Sequence, residues 1–514
     1  MNRSASTRGI RLSAVIALLV GFLAVTQPVR ANTYVVTNSN DSGAGSLRQA
    51  ISDANNHAGA DIITFATATN GIPIVLAGAV SENANAGGDL DILNNGDLTI
   101  QGNGAANTII DGGGIDRVLH VCPGGGCTNS VTLQGVTIRN GSIGGYGGGI
   151  YNRGNLTVDN SIVSGNTAIK GGGIYNKAPL TIQNGSLIGG SGAGNTATGD
   201  GGGIYNETSL TTVDASTING NTATGDGGGI YVEKGALIVD GGTVSGNAAT
   251  NGGGIYNKAT PLNIQNGSLI GGAGAGNTAT ANGGGIYHEA GEATIDGSTV
   301  SGNAATNGSF NKGGGIYNAA TLHVQNGSLI GGSGAGNTAD YSGGGIYSYI
   351  GSSVTVDDST ISANTSYYGG GIFNLGALTI QNGSTIGGIG ASNTATAYGG
   401  GIYHYMNGSV TVTDSRILMN RGTNGGGVYI DHNTAGVIHV TGSCLVRNSA
   451  TSFFNSQSAQ QVATGNWWGA ATGPNTPGAD TVGGNVDASG YLTETILGCV
   501  FYDTYLPLTL KQTP

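Results

Sequence analysis

Residues 147–152 read Gly-Gly-Gly-Ile-Tyr-Asn, and this phrase of glycines, an aliphatic residue and an aromatic one is written eleven times. Its aliphatic residues are Ile150, Ile174, Ile204, Ile230, Ile255, Ile286, Ile316, Ile346, Ile372, Ile402 and Val428, spaced 24 to 31 residues apart. A period of that length marks units that cannot bury their apolar faces alone and must stack. The 514 residues therefore read as one elongated solenoid rather than several globular domains.

Alternation within a repeat assigns faces. Across residues 147–166, Ile150, Leu156, Val158 and Val163 point inward, and Tyr151, Thr157, Asp159, Ile162 and Ser164 point outward. Three short strands per turn, with no helical segment between them, predict an all-β fold: a right-handed parallel β-helix solenoid. A column of asparagines supports this register. Asn140, Asn166, Asn195, Asn221, Asn247, Asn277, Asn303, Asn337, Asn364, Asn393, Asn420 and Asn448 recur at one corner, where inward amides can bond from coil to coil. The longer repeats carry a four-residue insertion before Asn195, Asn277, Asn337 and Asn393, expected to project from one edge.

Composition bounds the function. Arg3, Arg8 and Arg11 precede an apolar run over 12–25, and small residues end at Ala31, the pattern of a secretory signal. Without residues 1–31 the chain keeps 13 basic against 28 acidic residues, a net charge of −15. That sign disfavours nucleic acid and anionic membrane, and permits cations and neutral glycans. Four cysteines in an exported chain read as disulfides: Cys122 with Cys127 across a PGGG turn, and Cys444 with Cys499.

Residues 32–97 read as an N-terminal cap and first coils, with a capping box of Ser46 and Gln49 opening a helix that ends near Asn55. Leu47, Ala50, Ile51 and Ala54 form its apolar stripe. Clear coils occupy 98–448. Residues 449–500 read as the last coils and a C-terminal cap, with Trp467 and Trp468 as core plugs, and 501–514 as a tail.

The GGGI phrases alternating with SGN-type corners resemble bacterial right-handed β-helix surface proteins, including the polymorphic outer membrane proteins, over about residues 98–450. The resemblance implies a secreted or cell-surface protein acting in adhesion or glycan contact, and the chain's own apolar pattern predicts no membrane span once residues 1–31 are removed. Fewer than 90 residues follow the last repeat, too few for the translocating barrel of those relatives. The wider superfamily, similar in shape, contains pectate lyases, so an extracellular polysaccharide lyase or hydrolase is the alternative.

Two candidate sites follow. Tyr205, Tyr231, Tyr256, Tyr287, Tyr317 and Tyr347 belong to an outward aromatic column that could seat sugar rings or stack on itself. Asp214 and Asp240 are the acidic pair in neighbouring coils, with Glu233 and Lys234 near them, and form the candidate cation pair of a lyase. The glycine corners lack the carboxylate that a calcium loop supplies, no helix follows them to meet a nucleotide phosphate, and the seven histidines show no metal spacing. No cofactor, metal or catalytic residue is expected from these patterns.

Overall fold

A computed structural model describes residues 30–78, 83–93, 95–258, 261–406, 408–432, 438–495 and 499. The apolar leader up to residue 29 and the tail from 501 lie outside the described residues. The chain winds into a right-handed parallel β-solenoid of about 15 turns. One turn runs through Ile150–Asn152, Asn155–Asp159, Ile162–Ser164 and Thr167–Ala168, and Ile174–Asn176 then pairs with the first of these one coil on. Equivalent strands make four parallel sheets of 15, 17, 14 and 9 strands, here the first to fourth. The fourth adds to the three strands expected per coil. Its members, from Thr167–Ala168 to Thr394–Ala395, are two residues long, too short to show any alternation in sequence.

Inside, Ile150, Leu156, Val158 and Val163 are fully buried, and one continuous core runs from Val36 to Trp468. The glycines let coils approach. Gly227 has φ +67°, and a Cβ on Gly228 would lie 2.5 Å from the carbonyl oxygens of Ala248 and Gly253. The first glycine of each run is thus required by conformation and the next by space.

From Asn166 to Asn448 each asparagine Nδ2 donates to Oδ1 of the next, at 2.9 to 3.0 Å, without a gap. Asn140 does not belong to this ladder. It adopts φ +55° and donates to Asp111 Oδ2 at 2.8 Å, while the backbone N–H of Gly141 takes Asn166 Oδ1. A second polar column, unread in the sequence, runs through serines between the second and third sheets: Ser268 N donates to Ser298 Oγ and Ser298 N to Ser328 Oγ, both at 3.2 Å. The insertions do share one edge, since Ser333 Oγ reaches the carbonyl of Gly390.

The helix Leu47–Asn55 covers the open end with Leu47, Ala50, Ile51 and Ala54. Ser46 caps it by accepting from Gln49 N, but the reciprocal half of the expected capping box is absent: Gln49 Nε2 donates to Asp53 Oδ1 at 2.7 Å instead. Thr33–Val36 and Asp61–Phe65 already pair in the second sheet, so the cap and the solenoid share strands. At the other end Trp468 is fully buried, and Trp467 packs beside Leu418 and Val446. Disulfides join Cys122 to Cys127 and Cys444 to Cys499, each with Cα atoms 6.1 Å apart. Among the described residues, no helix is long and apolar enough to cross a membrane.

Candidate functional site

The aromatic residue of every GGGIY phrase stands on the outer side of the first sheet, in register with its neighbours one strand spacing away. Planar rings at that spacing stack. Centroids are 4.8 Å apart for Tyr205 and Tyr231, 5.0 Å for Tyr231 and Tyr256, 4.7 Å for Tyr256 and Tyr287, 4.5 Å for Tyr287 and Tyr317, and 5.1 Å for Tyr317 and Tyr347, all within 15° of parallel. Tyr205, Tyr231 and Tyr347 are only 2%, 6% and 3% exposed. The outward column is therefore a second, external core: each ring's two faces are occupied by its neighbours, and a sugar cannot lie on them.

Only hydroxyl edges reach the surface, and carboxylates hold five of them. Tyr205 and Tyr231 both donate to Glu233 Oε2 at 3.0 Å, Tyr256 donates to Glu289, Tyr175 to Glu207, and Tyr403 to Asp431 Oδ2 at 2.8 Å. Burial and then the adjacent carboxylates push these phenols well above their ordinary range. Burial alone would raise Glu233, but bonds from Tyr231, Lys258 and Tyr205 outweigh it and hold the carboxyl below its usual range. This edge is closed by internal pairing, with Lys258 Nζ 3.2 Å from Glu233.

Glu233 is thereby placed on the first sheet, away from the acidic pair it was expected to join. Asp214 and Asp240 lie side by side on the second sheet. Asp240 accepts from Gln265 Nε2 at 3.0 Å and Asn266 Nδ2 at 2.7 Å of the following coil. The same clasp recurs at Asp159, Asp296 and Asp357, so it is a repeated structural device of the second sheet. The alternation of Asp and Gln along this position is explained by that donation.

The column changes character between residues 310 and 432. Tyr368 and Tyr398 there occupy the residue before the glycine run, a position held by Tyr146 in the first repeat and by Lys170, Asn282, Lys312 and Ser342 in others. Tyr368 packs against Tyr403 at 5.2 Å, edge-on to Tyr341 at 5.6 Å and to Tyr367 at 4.5 Å. The column itself stays stacked here, Tyr347 on Phe373 at 5.2 Å, Phe373 on Tyr403 at 5.0 Å and Tyr403 on Tyr429 at 5.4 Å, and the added rings stand beside it. They wall a cavity of about 370 Å³ lined by Lys312, Tyr341, Ser342, Tyr347, Tyr368, Phe373, Leu375, Tyr403, Tyr405, Met406 and Asp431. Leu375 and Met406 also line a neighbouring, more apolar hollow with Ile350 and Ala377. Tyr349, Ile350, Tyr367 and Met406 around it are 40 to 53% exposed, a concentration of open apolar surface. Two charges face the cavity: Lys312, whose Nζ lies 5.2 Å from the Tyr347 ring centre, and Asp431. Mostly aromatic walls with a few placed polar groups are the usual make-up of a ligand site.

Four parallel sheets, stacked corner amides and an external aromatic column define a repeat β-solenoid with one open aromatic cavity among the described hollows. A model of the Chlamydia polymorphic membrane protein repeat matches residues 215–233, a span that runs from the Asn221 corner through the GGGIY phrase at Ile230. Proteins of that family belong to the bacterial cell surface or outer membrane. No curated protein and no solved structure matches the chain.

Proposed function

We propose that the chain is an exported, non-catalytic β-solenoid of a bacterial surface that binds a neutral or weakly charged glycan in the aromatic cavity around Tyr368 and Tyr405. The carrying observation is the group of extra aromatics, Tyr341, Tyr368 and Tyr405, that borders a hollow beside the tyrosine column. The column rings satisfy one another throughout, whereas over 310–432 the extra aromatics border an open hollow with Lys312 on its wall. The repeat match supports a surface location. The secretory reading of residues 1–31 and a role in adhesion rest on sequence and resemblance.

A glycan array with the purified chain tests this. Binding is expected for the wild type and lost in Tyr368→Ala and Tyr405→Ala, both folded by circular dichroism. Equal binding by wild type and variants overturns the assignment, and release of unsaturated products from polyuronates would favour a lyase instead.

A further inference from the structure

The aromatic column has an unlike head. In the two coils before Tyr151 its position is taken by Asp91 and then His120, set in register by the pairing of Leu90–Ile92 with Leu119–Val121 and of the latter with Ile150–Asn152. The His120 imidazole lies flat on the Tyr151 ring at 4.8 Å. Asp89 projects into the same place, and one ligand atom from each of Asp89, Asp91 and His120 lies within 4.8 Å of the others. These side chains are 0%, 0% and 4% exposed.

The polar groups there do not balance. Arg117 Nη1 is 3.1 Å from Asp89 Oδ2 and 3.3 Å from His120 Nδ1, and Asp91 Oδ1 faces His120 Nδ1 at 3.5 Å. Asn85 N donates to Asp91 Oδ2. One guanidinium thus serves two buried carboxylates, with Asp116 beside it at 1% exposure. Asp89 Oδ1 and His120 Nε2 are buried without a hydrogen-bond partner, and Asp91 Oδ1 has only the 3.5 Å approach of His120 Nδ1. Buried polar atoms left short of partners are costly, and ligand atoms of two carboxylates and one imidazole gathered together call for a common occupant.

We propose that Asp89, Asp91 and His120 bind a divalent transition-metal cation of the zinc or manganese class, tying the capping segment to the first coils. Two carboxylate oxygens and one imidazole are a suitable set for such ions, whereas calcium takes more oxygens than these residues offer. Ligand atoms bound at ~2.1 Å to one ion lie ~3.4 to 4.2 Å apart, and the three must draw in by about 1 Å. Arg117 stays on Asp89 Oδ2 as the outer partner that orients the carboxylate.

The purified chain, carrying no histidine tag, is stripped with EDTA, dialysed against Zn²⁺ or Mn²⁺ and assayed for metal by mass spectrometry. About one equivalent should remain, with a raised thermal midpoint. His120→Gln should reduce affinity at least tenfold with unchanged circular dichroism. Loading the wild type with Co²⁺ gives a readout independent of any variant, since visible d–d bands report coordination by nitrogen and oxygen. No retained metal, no midpoint shift and no visible bands in the wild type would overturn the proposal. Stoichiometric metal that is unaffected by His120→Gln would overturn it equally.

Discussion

Replacing Asn277 by alanine removes one rung from the middle of the asparagine ladder. Its Oδ1 accepts from Asn247 N at 3.1 Å and Asn247 Nδ2 at 2.9 Å, and its Nδ2 donates to Asn303 Oδ1 at 2.9 Å and to the Val244 carbonyl at 2.8 Å. Asn303 Oδ1 keeps the bond from the Asn277 backbone N, but two N–H groups of Asn247, itself 1% exposed, lose their acceptor. At ~1 to 3 kcal/mol for each orphaned buried donor the expected cost is about 4 kcal/mol, within a range of ~2 to 6. Because each coil touches only its neighbours, the damage should be local. Urea unfolding followed by circular dichroism measures the loss, and hydrogen exchange should show faster exchange at residues 244–248 than in distant coils. Gln265→Ala is the control: that half-exposed amide makes one bond, to Asp240, and its removal should cost no more than about 1 kcal/mol. A loss below about 1 kcal/mol for Asn277→Ala, with exchange unchanged, refutes the reasoning that the ladder holds the corner.

The tyrosine column separates packing from hydroxyl chemistry: Tyr231→Ala should cost about 3 to 5 kcal/mol and Tyr231→Phe less than about 1, read from urea midpoints, because Glu233 keeps Tyr205 and Lys258. Equal costs would contradict a stacking role. His404 is fully buried beside Asn374, and burial lowers its pKa from 6.5 to about 4. The fold holds the neutral ring, so this stability is fully present above pH 6.5 and is lost as pH falls towards 4, by about 3 kcal/mol at the limit. His404→Asn, which restores the asparagine found at this place in Asn152 and Asn176, should remove that part of the acid sensitivity, and urea midpoints at pH 7 and pH 4 report it.

The repeat made much of the fold legible. Ile150, Leu156 and Val158 are recognisable as core because alternation fixes the side of a strand on which a residue lies. Alternation does not say whether the other side is covered. Tyr205 and Tyr231 point away from the core as expected yet are buried, because identical rings repeated at one strand spacing cover each other. Asn140 misled because an asparagine before a glycine also suits a left-handed turn, and here Gly141 takes the ladder position. The aromatic cavity had only a partial signal: the residue before the glycine run is Tyr368 and Tyr398 where Lys170 and Asn282 stand in other coils, but it is also Tyr146 in the first repeat, which stacks on Tyr175. Asp89, Asp91 and His120 gave no local spacing, since Asp91 meets His120 only after one coil of irregular length is wound.

The most direct test of the account is calorimetric titration of the leading glycan from the array into the wild type, Tyr368→Ala and Tyr231→Phe. The account predicts one saturable site in the wild type, retained in Tyr231→Phe and weakened at least tenfold in Tyr368→Ala. Binding that survives Tyr368→Ala but fails in Tyr231→Phe would return function to the buried column and contradict it.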